Sequence, residues 1–209
     1  VRPYIIGLIA QSILYVITGS VVNCFIQERF NATLSIIYAS RGNRAVVFFS
    51  RQLLHIPNGF VVTASGLFFC WLLLGLDFSQ VNWLGLILAV LAIALSASTS
   101  AAFLGNFTIV VNDWILLNRA FSGAMLVLTG VIIPLSSFQA WLANFSHILP
   151  LTHGLVAFRA AFDGAGFLSI WPSLLQEFTV SLGYAVIGVI GYYLVEFFAK
   201  RRGLQGAFA

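Results

Sequence analysis

Charge is scarce in this chain and lysine nearly absent: Lys200 is the one lysine among 209 residues, and charged side chains of both signs make up 8%. With no interior lysine there is no G-x-x-x-x-G-K-[ST] loop, and Lys200 is followed by arginine, so a P-loop that would grip nucleotide phosphates is excluded. Cysteine is as sparse. Cys24 and Cys70 both fall in or at the ends of apolar runs and read as small buried side chains rather than a disulfide framework. His147 and His153 are six residues apart, off the i, i+4 spacing of a helical zinc pair, so no metal site is expected. Ser65-Gly66 and Ser122-Gly123 lack the flanking glycine and serine pattern of an intramembrane protease and suit close helix approach instead. The pI near 9.4 does not signal nucleic acid, because the basic residues cluster where a membrane topology wants them.

Apolar surface is what the chain has. Sixty per cent of its residues are hydrophobic and its mean hydropathy is +1.00, far above soluble domains, which excludes disorder because there is too much to bury. A hydrocarbon core about 30 Å thick needs a helix of about 20 residues. Five runs are apolar and long enough: Tyr4–Ile26, Ile56–Leu76, Trp83–Gly105, Trp114–Ile133 with Arg119 near its start, and Phe178–Val195. Lipid offers backbone groups no partner, so all five are expected to be helices. The fold class is therefore all-α, a polytopic membrane protein forming one domain over 1–209. The first run is too long, and lacks the basic flank and cleavage site, to be a signal peptide.

Arginine sets the orientation. Arg29, Arg41, Arg44 and Arg51 crowd the link between the first two runs, and Lys200, Arg201 and Arg202 follow the last, while Asp77–Asn82 between the second and third has no basic residue. The positive-inside rule then puts the first link, the Arg119 end and the C-terminus on the cytoplasmic side of a cell membrane. Five spans with a cytoplasmic C-terminus put the N-terminus outside, which leaves open either an upstream span absent from this sequence or a short variant.

The link Gln27–His55 is long for a helix connection. Phe30, Leu34 and Ile37 recur at helical spacing with Glu28, Arg29, Asn31 and Ser35 opposite, the pattern of a helix lying on the membrane surface, either as a docking element or as a stabiliser of the loop. Its residues, Glu28-Arg29-Phe30-Asn31-Ala32-Thr33-Leu34-Ser35 and then Ala39-Ser40-Arg41, resemble the cytoplasmic loop of ABC-2-type transporter permeases, with Ala32 where that family has Gly, Ser35 for Glu and Arg41 for Pro. Pro3-Tyr4-Ile5-Ile6-Gly7-Leu8 resembles the start of the family's second span, which would make this chain the six-helix fold without its first span. The resemblance implies an ATPase-coupling helix built on Glu28, Arg29, Ala32, Thr33, Leu34, Ser40 and Arg41.

Pro134–Arg159 is too broken to cross. Ser137 is expected to cap a first short helix that Pro150 stops near Leu149, and Thr152 to cap a second running to about Phe162, each about 15–18 Å long. Half-depth helices of this kind survive only when packed against protein or lining a wet cavity. The stretch is similar to the family's P-x-S-x-x-P-x-W-L, N-P-L-T-H and following arginine, read here as Pro134, Ser136, Trp141-Leu142, Pro150-Leu151-Thr152-His153 and Arg159, with Gln139 for the second proline and Leu149 for the asparagine. The resemblance implies an extracytoplasmic re-entrant hairpin serving as an outer gate, and a cavity lined by the first, second and fourth spans. It also implies a cytoplasmic ABC ATPase partner carrying ATP and Mg, a second permease subunit, identical or homologous, and export of a hydrophobic or amphipathic drug, antibiotic or peptide. This chain would carry no cofactor and no enzyme activity. Two alternatives stay open: a secondary transporter or channel without an ATPase, and an ABC exporter of lipid or polysaccharide.

Phe68 and Phe69 on the second run and Met125 on the fourth are candidate cavity residues, though lipid contact or packing is the commoner fate of such side chains. Trp83, Trp141 and Trp171 suit the outer aromatic belt, and membrane lipids are expected contacts throughout. The Ala- and Ser-rich third run suits tight packing. Asp113 and Arg119 read as boundary charges, and Glu177 and Glu196 as markers of the two ends of the last span, too shallow for a proton relay.

Overall fold

The structure is a computed structural model that describes residues 2–30, 50, 52–107 and 114–201. Seven α-helices and one short 3-10 turn are described. They are α1 (Arg2–Phe30), α2 (Ile56–Leu74), α3 (Trp83–Phe107), α4 (Trp114–Leu128), α5 (Ala140–Ser146), α6 (Thr152–Phe162) and α7 (Phe167–Arg201). The coupling-helix candidates Ala32, Thr33, Leu34, Ser40 and Arg41, with Asp113, lie outside the described residues. Glu28 and Arg29 belong to the last turn of α1, which runs four residues past the expected end at Ile26.

Among the described residues, four helices are long and apolar enough to cross a bilayer, over Pro3–Cys24, Ile56–Leu74, Trp83–Phe107 and Phe167–Leu194. The other expected span, Trp114–Ile133, is helical only through Leu128. There the Thr129 hydroxyl bonds back to the Met125 carbonyl at 2.6 Å and Gly130 turns the chain at φ 84°, in the left-handed region that glycine enters without a Cβ clash. The last span differs in the opposite direction. It begins at Phe167, eleven residues before the expected start, because Pro172 near its beginning removes only one backbone bond and Glu177 has partners inside the bundle.

Helix α3 is the centre of the bundle. Ala89, Ala94, Ala97, Ala101 and Ala102 are fully buried, and their small side chains let α1, α6 and α7 approach closely. The Asn106 amide donates to the Gly188 carbonyl of α7 at 3.0 Å, and only a glycine at 191 leaves room for it, since a Cβ there would stand 2.6 Å from Asn106 Nδ2. Helix α2 touches the bundle along one narrow seam, Gly59, Thr63 and Leu67, one residue per turn. Its Gly59 meets Ile13 and Ile17, and its Gly66 meets Ile9, so the expected close approach at Ser65-Gly66 is present, whereas Gly123 faces open space within this chain. The rest of α2 and much of α7 present bare apolar side chains, Leu73 at 75% exposure and Leu168 at 86% among them. Faces of that kind want hydrocarbon rather than water around them.

Candidate functional site

Between α4 and α7 the chain forms two short helices, α5 of 7 residues and α6 of 11, each too short to cross a bilayer as expected from the sequence, but their local caps differ. Pro134 opens a 3-10 turn, Leu135–Ser137, so Ser137 ends an element rather than starting one. Helix α5 begins at Ala140 behind an extended Gln139, whose side-chain oxygen accepts the Trp141 indole N–H at 2.7 Å, and it ends at Ser146, well before Leu149. Pro150 is buried, and Leu151 turns the chain into α6 at φ 83°. A leucine in that region costs about 1–3 kcal/mol and persists only where the surroundings over-determine it.

Glu177 supplies the over-determination. It is 0% exposed and reaches from α7 to the start of α6. One carboxyl oxygen accepts the Leu151 N–H at 2.8 Å and the Ser96 hydroxyl of α3, and the other accepts the Gly154 N–H at 2.8 Å, with the His153 N–H also contributing. The open N–H groups of a helix start are ordinarily met by the side chain at the N-cap position. Here that position is Leu151, which has nothing to offer, and a carboxyl from 26 residues downstream does the work in its place. Thr152, expected as the cap, is instead the first helical residue. Its hydroxyl donates to the Ser146 carbonyl at 2.7 Å and closes the two arms of the hairpin on each other. The reading of Glu177 as a shallow end marker is therefore corrected. A lone carboxylate within the apolar stretch 167–194 was the available signal.

The other end of α6 is tied to a different pair of helices. Arg159 is half-buried, and its guanidinium donates to the carbonyls of Gly130 and Val131, at 3.2 and 3.1 Å, in the turn that ends α4. Gly7 of α1 sits against this contact, and a Cβ there would come 2.8 Å from Arg159 Nη2. Beyond α6, Asn82 accepts the Gly85 N–H at the start of α3 and donates to the Ala165 carbonyl at 2.8 Å, holding the chain where it returns to the membrane.

His153 stacks on His147 with ring centroids 5.1 Å apart, and its Nε2 lies 3.0 Å from the His147 carbonyl oxygen. Burial pulls the His153 pKa below the usual histidine range, the backbone bond opposes this, and the neighbouring imidazole adds to it. No group of three or more metal-ligating side chains occurs among the described residues.

Of the gate candidates, Thr152, His153 and Arg159 lie on α6 with Pro150 just before it, while Pro134, Ser136 and Trp141 are exposed on the stretch leading into and through α5. Phe68 and Phe69 are exposed on α2, edge to face with each other, and Met125 is buried at 4% exposure. A separate cleft of about 370 Å³ lies between α1 and α4, where Tyr15, Ser20 and Asn23 face Ile115, Asn118 and Arg119. Deeper along the same seam the Gln11 amide donates to the Ser122 carbonyl at 2.9 Å. Sequence reasoning passed over this polar line because Gln11, Ser20 and Asn23 sit singly in an otherwise apolar run.

No curated protein and no solved structure matches the chain. The family model for the ABC-2 type transporter matches residues 1–162, which takes in α1 to α6 and stops before α7 and Glu177. Membrane domains of this family lack ATPase activity and generally pair with ABC ATPase subunits. With the match spanning most of a multi-pass helical membrane protein, the chain belongs to the ABC-2 type transporter family and is a permease domain.

Proposed function

We propose that this permease is the membrane subunit of an ABC exporter that moves a hydrophobic or amphipathic compound, a drug, antibiotic or peptide, outward across a bacterial plasma membrane. ATP hydrolysis, with Mg, takes place on a separate cytoplasmic subunit seated on the segment from Glu28 to Arg41. A second permease subunit completes the pathway. The arginine-rich end then lies inside, and α5–α6 form the outer gate. The observation that carries this reading is the pair of short helices α5 and α6, fastened at one end of α6 to α3 and α7 and at the other to the end of α4 beside α1. An element that bridges two helix pairs without crossing the membrane suits a gate better than a lipid anchor. The polar cleft between α1 and α4 supports the same reading as a portion of the path, with Arg119 and Asn118 on its wall.

The test is co-reconstitution with a candidate ABC ATPase in sealed vesicles, comparing ATP-driven flux of hydrophobic dyes with flux under an ion gradient alone. Flux that needs ATP and collapses when Thr33, Leu34 and Arg41 are replaced together supports the reading. Flux that an ion gradient sustains in ATP-free vesicles would refute it.

A further inference from the structure

Glu177 does more than fill space. Both its oxygens act as acceptors, for donors from two elements other than its own: Ser96 of α3, and the Leu151 and Gly154 amides of the hairpin. Its side chain is completely enclosed, and it holds in place a leucine whose backbone would not stay left-handed unaided. The Arg159 contact at the far end of α6 is of another kind. It is only partly buried, its two bonds run to backbone carbonyls at 3.1 and 3.2 Å, and its enclosed Nε has no partner.

We propose that Glu177 is the positioning residue of the re-entrant hairpin, fixing the start of α6 to α3 and α7 so that these three move as one body, while the Arg159 contact with the Gly130–Val131 turn is the joint that parts. This rests on the gate reading above and extends it, because it states which helices the hairpin follows. A buried carboxyl with every described donor satisfied is costly to detach, since each amide stripped of its partner away from water is penalised in full. The Arg159 end loses less, because its guanidinium gives up two bonds to carbonyls and already has one enclosed nitrogen without a partner, which regains water as it leaves.

Glutamine at position 177 separates this from a packing role. It has the same size and shape but only one acceptor oxygen, so the Gly154 N–H, or else the Leu151 N–H and Ser96 hydroxyl, would face an NH2 group. The experiment follows amide hydrogen exchange on the full chain in lipid nanodiscs, with no nucleotide. Glu177→Gln is expected to speed exchange at Leu151 and Gly154 roughly tenfold while α3 amides from Ala89 to Ala97 stay as protected as before. Glu177→Asp, which keeps both acceptors, should recover part of the protection. Equal exchange in Glu177→Gln and the unmodified chain would overturn the proposal, and so would a uniform rise across α3.

A second measurement needs no change at Glu177. Nitroxides at Val156 and Leu175 report α6 against α7, and at Val156 and Val127 report α6 against α4, with the ATPase bound and nucleotide added. The 156–175 separation should stay constant while the 127–156 separation changes. A shift in the 156–175 pair would overturn the proposal. If instead neither pair responds to nucleotide but the glutamine variant loses protection at Leu151 and Gly154, the anchor stands and the exporter reading fails.

Discussion

Gly154→Ala tests the packing around the start of α6 independently of its hydrogen bonds. The new methyl would stand 2.5 Å from Ile93 Cγ1 and 3.3 Å from Glu177 Cδ. Ile93 is 0% exposed on α3 and has no free side to move to, so the contact cannot be relieved by a rotamer change alone. Overpacking of this kind costs about 1–3 kcal/mol. The helical preference of alanine over glycine returns about 0.5–1 kcal/mol, so the net loss should be no more than about 2.5 kcal/mol. The assay is thermal unfolding of the detergent-purified chain, scored against Gly183→Ala, whose added methyl meets nothing within 4 Å on α7 and should be neutral or slightly stabilising. Ile93→Ala alone opens a cavity and should cost about 2–5 kcal/mol. Combined with Gly154→Ala it should cost less than the sum, because the two changes share one space. Strict additivity, or a Gly154→Ala chain that melts above the parent, would refute the placement of α6 against α3.

Three further outcomes are expected. Gly7→Ala should push the Arg159 guanidinium away from Val131 and cost about 1 kcal/mol, and Arg159→Ala added to it should cost little more, since both remove one contact; full additivity in unfolding would contradict this. His153 titrates below 6.5 because burial disfavours its cation, so as pH falls through 6.5 the unfolded chain takes up the proton first and the fold loses stability. Melting should therefore drop between pH 7.5 and 5.5, and drop less in His153→Gln, with a remainder from His55, which burial shifts the same way at the start of α2; an unchanged drop in the variant would assign the effect elsewhere. Asn106→Leu should destabilise by about 1 kcal/mol or more through loss of the bond to Gly188 and crowding at Gly191, read by proteolysis of α7 in detergent; an Asn106→Leu chain cut no faster than the parent would refute that contact.

Much of the architecture was legible because bilayer thickness and backbone satisfaction act on local sequence. Apolar runs of sufficient length had to be helices, and the ends of α2 and α3 fell within two residues of the runs that announced them. Pro150 and the short pieces around it announced a hairpin that could not cross, and its second helix ended at Phe162 as expected. The ABC-2 resemblance, carried by Pro134 to Arg159 and by the Glu28 loop, led to the family that residues 1–162 match.

Tertiary structure decided what depends on partners distant in the chain. Nothing near Leu151 says that its amide will meet Glu177, because the acceptor lies 26 residues away on another helix. A charge in an apolar run reads locally as an end of the run, and only the packing of α3, α6 and α7 shows that enough donors surround it to keep it inside. The same holds for Arg159, whose acceptors become available only because Gly130 turns the chain out of α4 and Gly7 leaves room. Composition and the length of the apolar runs determined that this protein is a helical membrane bundle, and Pro150 that two of its helices are too short to cross. Which helices hold that hairpin was set by long-range hydrogen bonds, whose energies depend on burial and geometry that no local pattern encodes.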